Sequence, residues 1–193
     1  MVLEIVNLVL RQRQPHRAIR LNQRRHSAAK NIILVDHAIA ESTDKPTVVR
    51  RRIDLWPLVE SLIQDLQPIS MTDHTRLINE VAEEFIAYAD TPLLRRVLQN
   101  LVANAMQHAP RGEVRIGATV LAGVGFECWV QDNGLGISPE RLDKVWDKFE
   151  TDSPNGHGLG LAIVKTYIEA HGGSVAVEST EGAGTCFRIR IPE

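Results

Sequence analysis

Residues 91–110, TPLLRRVLQNLVANAMQHAP, decide how this chain is read. Thr91-Pro92 reads as a helix start, with Thr91 as the capping residue and a proline in the first turn. Leu93, Leu94, Val97, Leu98, Leu101, Val102 and Ala105 then recur at the spacing of one helix face. The helix is expected to end near Ala109-Pro110. Asn100 and Asn104 stand four residues apart within it, so both amides lie on one face. Two amides on a largely apolar helix need partners. Either they bond a neighbouring loop, or their oxygens serve as hard, neutral ligands for Mg²⁺ that already carries phosphate oxygens.

Downstream, Val130-Gln-Asp132-Asn-Gly134-Leu-Gly136-Ile137 sends an aspartate off the end of a strand into a Gly-x-Gly turn. A carboxylate there can accept a hydrogen bond from an amine such as the exocyclic group of adenine, and the glycines let backbone approach a ligand. The same letters also spell an ordinary Asp-Asn-Gly turn. Further on, Gly156-His157-Gly158-Leu159-Gly160-Leu161 runs straight into a helix. Glycines ahead of a helix N-terminus expose N–H groups and the positive end of the dipole, which suits phosphate; a plain hinge has the same composition. The spacing is neither the dinucleotide fingerprint nor a P-loop. Between the two segments, Trp146 and Phe149 read as packing anchors ahead of a polar lid, Thr151 to Gly156.

The rest of the pattern frames these segments. Val48–Leu55 reads as a strand and Trp56–Leu66 as a helix. Thr75–Val81 and Glu84–Ala89 read as a strand pair, and Glu113–Val120 with Gly125–Val130 as a hairpin. A helix is expected over Leu161–Ala170, stopped by Gly172-Gly173, then strands over Ser174–Ser179 and Thr185–Ile191. Strands clustered beside a few helices predict an α+β fold, a two-layer sandwich of one mixed β-sheet covered by helices on one face. Ahead of this domain (47–193), residues 1–46 read as an α-helical hairpin. Val2, Ile5, Val6, Val9 and Leu10 form one apolar stripe, Gln14-Pro15-His16 a turn, and about 17–40 a second helix. Such a hairpin is too thin to hold a core alone, so it is expected to pair, often with its own copy.

Of the 193 residues, 44% are hydrophobic, enough for the core of one or two domains. No apolar run approaches the roughly 20 residues of a membrane span. The N-terminal stretch carries its charge after its apolar residues and lacks a small-residue cleavage site, unlike a signal peptide. A cytoplasmic location follows, with any membrane tether left to a further N-terminal part. Cys128 and Cys186 have no metal-like spacing and read as reduced core residues. Residues 1–52 hold 11 basic and 4 acidic side chains against 11 and 20 in the remainder. That asymmetry fits a docking face for an acidic partner and equally fits solvated helix surfaces; nothing in it points to nucleic acid.

Taken in order, these segments resemble the histidine-kinase branch of the ATPase superfamily shared with gyrase, a heat-shock chaperone and mismatch-repair proteins, which has the Bergerat fold. The asparagine helix is similar to the N box, Asp132–Ile137 to the G1 box, Trp146–Phe149 to the F box and Gly156–Leu161 to the G2 box. Gly184-Thr185-Cys186-Phe187 is similar to the last strand. The resemblance covers about 47–193 and implies an ATP site with Mg²⁺. Asp132 would bond the adenine amine, with Gly134, Gly136 and Ile137 bordering the ring and Thr185 behind it. Asn104, together with Asn100, would hold Mg²⁺ against the phosphates. Gln107 and His108 would lie near the nucleotide. Gly158, Leu159 and Gly160 would cover the phosphates, flanked by Gly156, His157 and Leu161. The chain departs from the pattern at His157, usually Ser or Thr, and at Gln107, usually Lys or Arg. No Lys or Arg stands between Lys148 and Lys165, which leaves fewer charges for the γ-phosphate.

Gyrase-like relatives hydrolyse ATP with a glutamate four residues before the magnesium asparagine. Here that position is Asn100, which cannot act as a base. A histidine kinase instead passes the γ-phosphate to a hairpin histidine followed by an acidic residue. The seven histidines, His16, His26, His37, His74, His108, His157 and His171, are followed by Arg17, Ser27, Ala38, Thr75, Ala109, Gly158 and Gly172, none acidic. Residues 26–42 resemble the second hairpin helix and 2–13 the tail of the first, which puts the acceptor before Met1. His26, with Lys30-Asn31 following, is the internal alternative, one residue out of register; the other histidines read as surface or loop residues. The sequence therefore predicts the Mg-ATP-binding domain of a two-component sensor kinase, homodimeric through the hairpin and serving a response-regulator receiver domain. The alternative is a degenerate kinase that binds nucleotide or regulator without phosphotransfer.

Overall fold

A computed structural model describes residues 46–147 and 158–193. The expected hairpin over 1–46, Phe149 and the expected lid at Thr151–Gly156 lie outside the described residues, save Pro46. Chain order is β1 (Arg51–Asp54), α1 (Leu55–Asp73), β2 (Arg76–Asn79), β3 (Ile86–Ala89), α2 (Thr91–His108), β4 (Glu113–Leu121), β5 (Gly125–Asp132), α3 (Pro139–Leu142), α4 (Gly160–Ala170), β6 (Ser174–Thr180) and β7 (Gly184–Pro192).

Five strands form one mixed sheet in the order β2-β4-β5-β7-β6. β2 runs parallel to β4; the other pairings are antiparallel. Register puts Phe126 opposite Ile191, Cys128 opposite Ile189 and Val130 opposite Phe187, so these residues share a face. All six are buried, and α2 packs over β5 on this side. The other face is polar. Glu127 lies between Arg188, at 3.0 Å, and Arg190, at 2.7 Å, and the Trp129 indole covers Gly117 so closely that a Cβ there would strike it. The expected two-layer α+β sandwich is the architecture found. Both cysteines are buried and free. Among the described residues no helix is long and apolar enough to cross a membrane.

Three details differ from the sequence reading. Residues 75–81 and 84–89 do not pair with each other. β2 spends its hydrogen-bonding edge on β4, while β3 joins β1 in a separate two-stranded sheet. Next, α1 continues past Leu66 and through Pro68. Its buried positions Leu55, Val59, Leu62, Leu66 and Ser70 keep one stripe across the proline, so burial offsets the missing N–H bond. Finally, α2 is capped by Asp90 rather than Thr91: the Asp90 Oδ1 accepts the Leu93 N–H at 3.1 Å. A carboxylate one residue earlier wins because it also takes the Val49 N–H on Oδ2, at 2.9 Å.

Candidate functional site

The cleft has α2 along its length. Asn100, Asn104 and His108 recur every four residues on one stripe, covering about 12 Å of helix axis. At the C-terminal end of the stripe stands the end of β5. Asp132 is only 4% exposed. Its Oδ1 accepts the Gly134 N–H at 2.8 Å, and the Thr185 N–H donates to the same carboxylate. Gly134 lies against the last turn of α2, where a Cβ would run into the His108 carbonyl. That carbonyl accepts the Leu135 N–H at 3.1 Å, which straps the loop to the helix. Gly136 has φ 69°, a left-handed conformation that favours glycine.

Ser179 organises this wall. Its hydroxyl accepts the Ile137 N–H at 2.8 Å, donates to the Gly184 carbonyl at 2.9 Å and lies 2.9 Å from the Thr185 hydroxyl. One side chain thus fixes the loop that carries Gly134, Gly136 and Ile137 against Thr185. Sequence reading passed over Ser179. The signal was a polar residue continuing the inward stripe of Val175 and Val177 on β6.

At the other end, Asn100 faces the start of α4. Its Oδ1 lies 3.4 Å from where a Cβ of Gly160 would be, and its Nδ2 is buried without a hydrogen-bond partner. The first turn of α4 follows Gly158 and Leu159, and no side chain caps it. Its leading N–H groups and dipole therefore converge on the same corner as the orphan amide. Leu159 is buried and Leu161 half-buried, so Gly160 presents backbone there. Asn104 sits midway, half-buried; Gln107 is exposed at the rim. Gly156 and His157 lie outside the described residues. Trp146 packs edge-on against Phe187, centroids 5.6 Å apart, the anchoring role expected of it.

Burial raises the pKa of Asp132, opposed by the Gly134 and Thr185 N–H groups and by His108. Burial lowers that of His108; Asp132 opposes this and Arg141 adds to it. Folded Asp132 thus holds its proton more tightly than unfolded Asp132. Its contribution to stability falls as pH rises from the ordinary carboxylate value to the raised one. Denaturant midpoints of the chain minus those of Asp132→Asn are expected to decline across that window; a difference independent of pH would contradict the assignment.

One buried carboxylate thus stands at one end of the α2 stripe, and the orphan amide with the uncapped start of α4 at the other. The family model for histidine kinase-, DNA gyrase B- and HSP90-like ATPases matches residues 89–193. The chain belongs to this ATPase family. Within it, the similarity is to sensor histidine kinases. The two-component sensor PhoQ of Pseudomonas aeruginosa is 34% identical over 157 residues, covering 78% of this chain and 34% of that protein. The sensor histidine kinase ZraS of Escherichia coli is 34% identical over 156 residues, covering 77% and 32%. Among solved structures, the catalytic domain of the histidine kinase ThkA is 26% identical with a TM-score of 0.68, covering 75% of this chain and 95% of that one. The mycobacterial sensor histidine kinase MprB is 26% identical with a TM-score of 0.66, covering 75% and 97%. The chain spans about a third of the length of these two curated relatives. It is a catalytic, ATP-binding domain of the sensor histidine kinase type within the ATPase family. The cleft between α2, the end of β5 and the start of α4 falls inside the matched residues.

Proposed function

We propose that the cleft binds Mg-ATP and that the chain is the phosphoryl donor of a two-component sensor kinase, acting on a histidine not recognisable in its own sequence. The observation that carries this is the orphan Nδ2 of Asn100 beside the uncapped start of α4. A buried donor without an acceptor costs about 1–3 kcal/mol, and a phosphate oxygen would satisfy it. An N–H cannot ligate a cation, so metal binding falls to the amide oxygens of Asn104 and Asn100, which are the neutral oxygen donors Mg²⁺ accepts beside phosphate. Mg²⁺ there would neutralise charge on the phosphates. Asp132 accepts the adenine amine, with Gly134, Gly136, Ile137 and Thr185 around the ring and His108 beside it. Gly156, His157, Gly158, Leu159, Gly160 and Leu161 lie along the phosphates, and Gln107 at the rim supplies no charge.

The amide at position 100 cannot deprotonate water, so transfer is favoured over hydrolysis. In transfer, the lone pair of a neutral imidazole nitrogen forms the new P–N bond. The bond from the γ-phosphorus to the β–γ bridging oxygen breaks, and ADP leaves. The phosphate then passes to an aspartate of a response-regulator receiver domain, the partner class of two-component sensors. Cytoplasmic location and a homodimer through residues 1–46 complete the reading.

Calorimetry tests the site. The chain should bind Mg-ATP, and Asn104→Ala should remove most of the gain from adding Mg²⁺; absence of Mg-ATP binding by the unsubstituted chain would overturn the reading. Incubation with γ-labelled ATP should leave the chain itself unlabelled. Of its histidines, His171 is 1% exposed and unreachable. Acid-labile label on any of the seven would refute the separate-acceptor proposal.

A further inference from the structure

α2 and α4 pack side by side and antiparallel, because the start of α4 meets Asn100 in the middle of α2 while the end of α4 meets the beginning of α2. The second meeting is built from buried polar groups. His171, expected from sequence to be a surface or loop residue, is instead one of the fully buried side chains. Its Nδ1 lies 2.7 Å from the Tyr167 carbonyl and donates to it, so Nε2 carries the lone pair. That lone pair accepts the Asp90 backbone N–H at 3.0 Å. Asp90 is the cap of α2. The chain entering the domain closes over this pair. Val49 N–H bonds the Asp90 carboxylate, and the Arg50 guanidinium donates to the carbonyls of His171 and Pro192.

A helix advances about 1.5 Å per residue. Any axial slip of α4 on α2 therefore moves Gly158, Leu159 and Gly160 past Asn100 and Asn104 by the same amount. Asp132 and Thr185 stand on the sheet and do not share that motion. We infer that His171 and Arg50 are positioning residues of the nucleotide site. They act from the far ends of α2 and α4, fixing the axial register that sets the phosphate end of the cleft and leaving the adenine end alone. Through Arg50, the segment at 49–50 holds that register. This rests on the nucleotide reading above.

The test separates the two ends of the ligand. Dissociation constants for Mg-ATP and for adenosine are measured by calorimetry on the full chain, on Arg50→Ala, and on His171→Ala and His171→Gln. Glutamine can present an oxygen near the position of Nε2. Displacing a binding group by about 1 Å is costly, so Arg50→Ala and His171→Ala should weaken Mg-ATP on the order of tenfold. Adenosine should be nearly unaffected, and His171→Gln should recover most of the loss. Equal weakening of both ligands would reduce the residues to general stability and overturn the proposal, as would unchanged Mg-ATP affinity in Arg50→Ala. Amide exchange without nucleotide gives a second readout. Residues 160–163 should exchange faster in Arg50→Ala, and unchanged exchange there also overturns the register role. A parent chain that fails to bind Mg-ATP would sink the nucleotide reading, while the exchange comparison still decides the positioning claim.

Discussion

Asp132→Asn is expected to weaken ATP binding about 10- to 100-fold, the value of one hydrogen bond to a charged acceptor in a buried setting. The isosteric amide keeps an oxygen for the Gly134 and Thr185 N–H groups, so the wall of the cleft should stay in place. It cannot offer two acceptor oxygens. The same change should raise the denaturation midpoint of the nucleotide-free chain at neutral pH. Burial opposes the charged form of Asp132, and a neutral side chain removes that opposition. Stability and affinity should therefore move in opposite directions, as at other sites that trade stability for binding. Titration by calorimetry and urea unfolding of one preparation check both. Unaltered affinity would remove Asp132 from the adenine end.

The largest loss of stability is expected from Phe187→Ala, about 3–5 kcal/mol. Phe187 is fully buried, faces Val130 and Val177 across its two neighbouring strands, and supports Trp146 edge-on. Truncation opens a cavity under the central strands and takes away the partner ring of the anchor that leads toward residues 148–157. Urea unfolding should show the midpoint fall with little change in slope. A loss below about 1 kcal/mol would mean that the site collapses without cost, contrary to the packing.

What could be read from the sequence was local. The α2 stripe, the Gly-x-Gly turn after Asp132 and the glycines ahead of α4 each fit inside one short window, and their order supplied the family. What could not be read was pairing over distance. Nothing between residues 75 and 89 says that β2 will lie parallel to β4, some 37 residues on, while β3 turns back to β1. His171 looked like one more loop histidine because its acceptor role depends on Asp90, 81 residues earlier. The helix read over Trp56–Leu66 fell short because the turns of α1 beyond Leu66 are carried by tertiary burial that propensity does not see.

The carboxylate of Asp90 serves two masters, the first turn of α2 and the N–H of Val49. An excised version of this domain beginning after Arg50 would therefore leave one oxygen of its own helix cap unpaired and would also lose the clamp of Arg50. The practical border of a self-sufficient unit lies ahead of β1, at or before Pro46, in a stretch that secondary structure alone would discard as a dispensable leader.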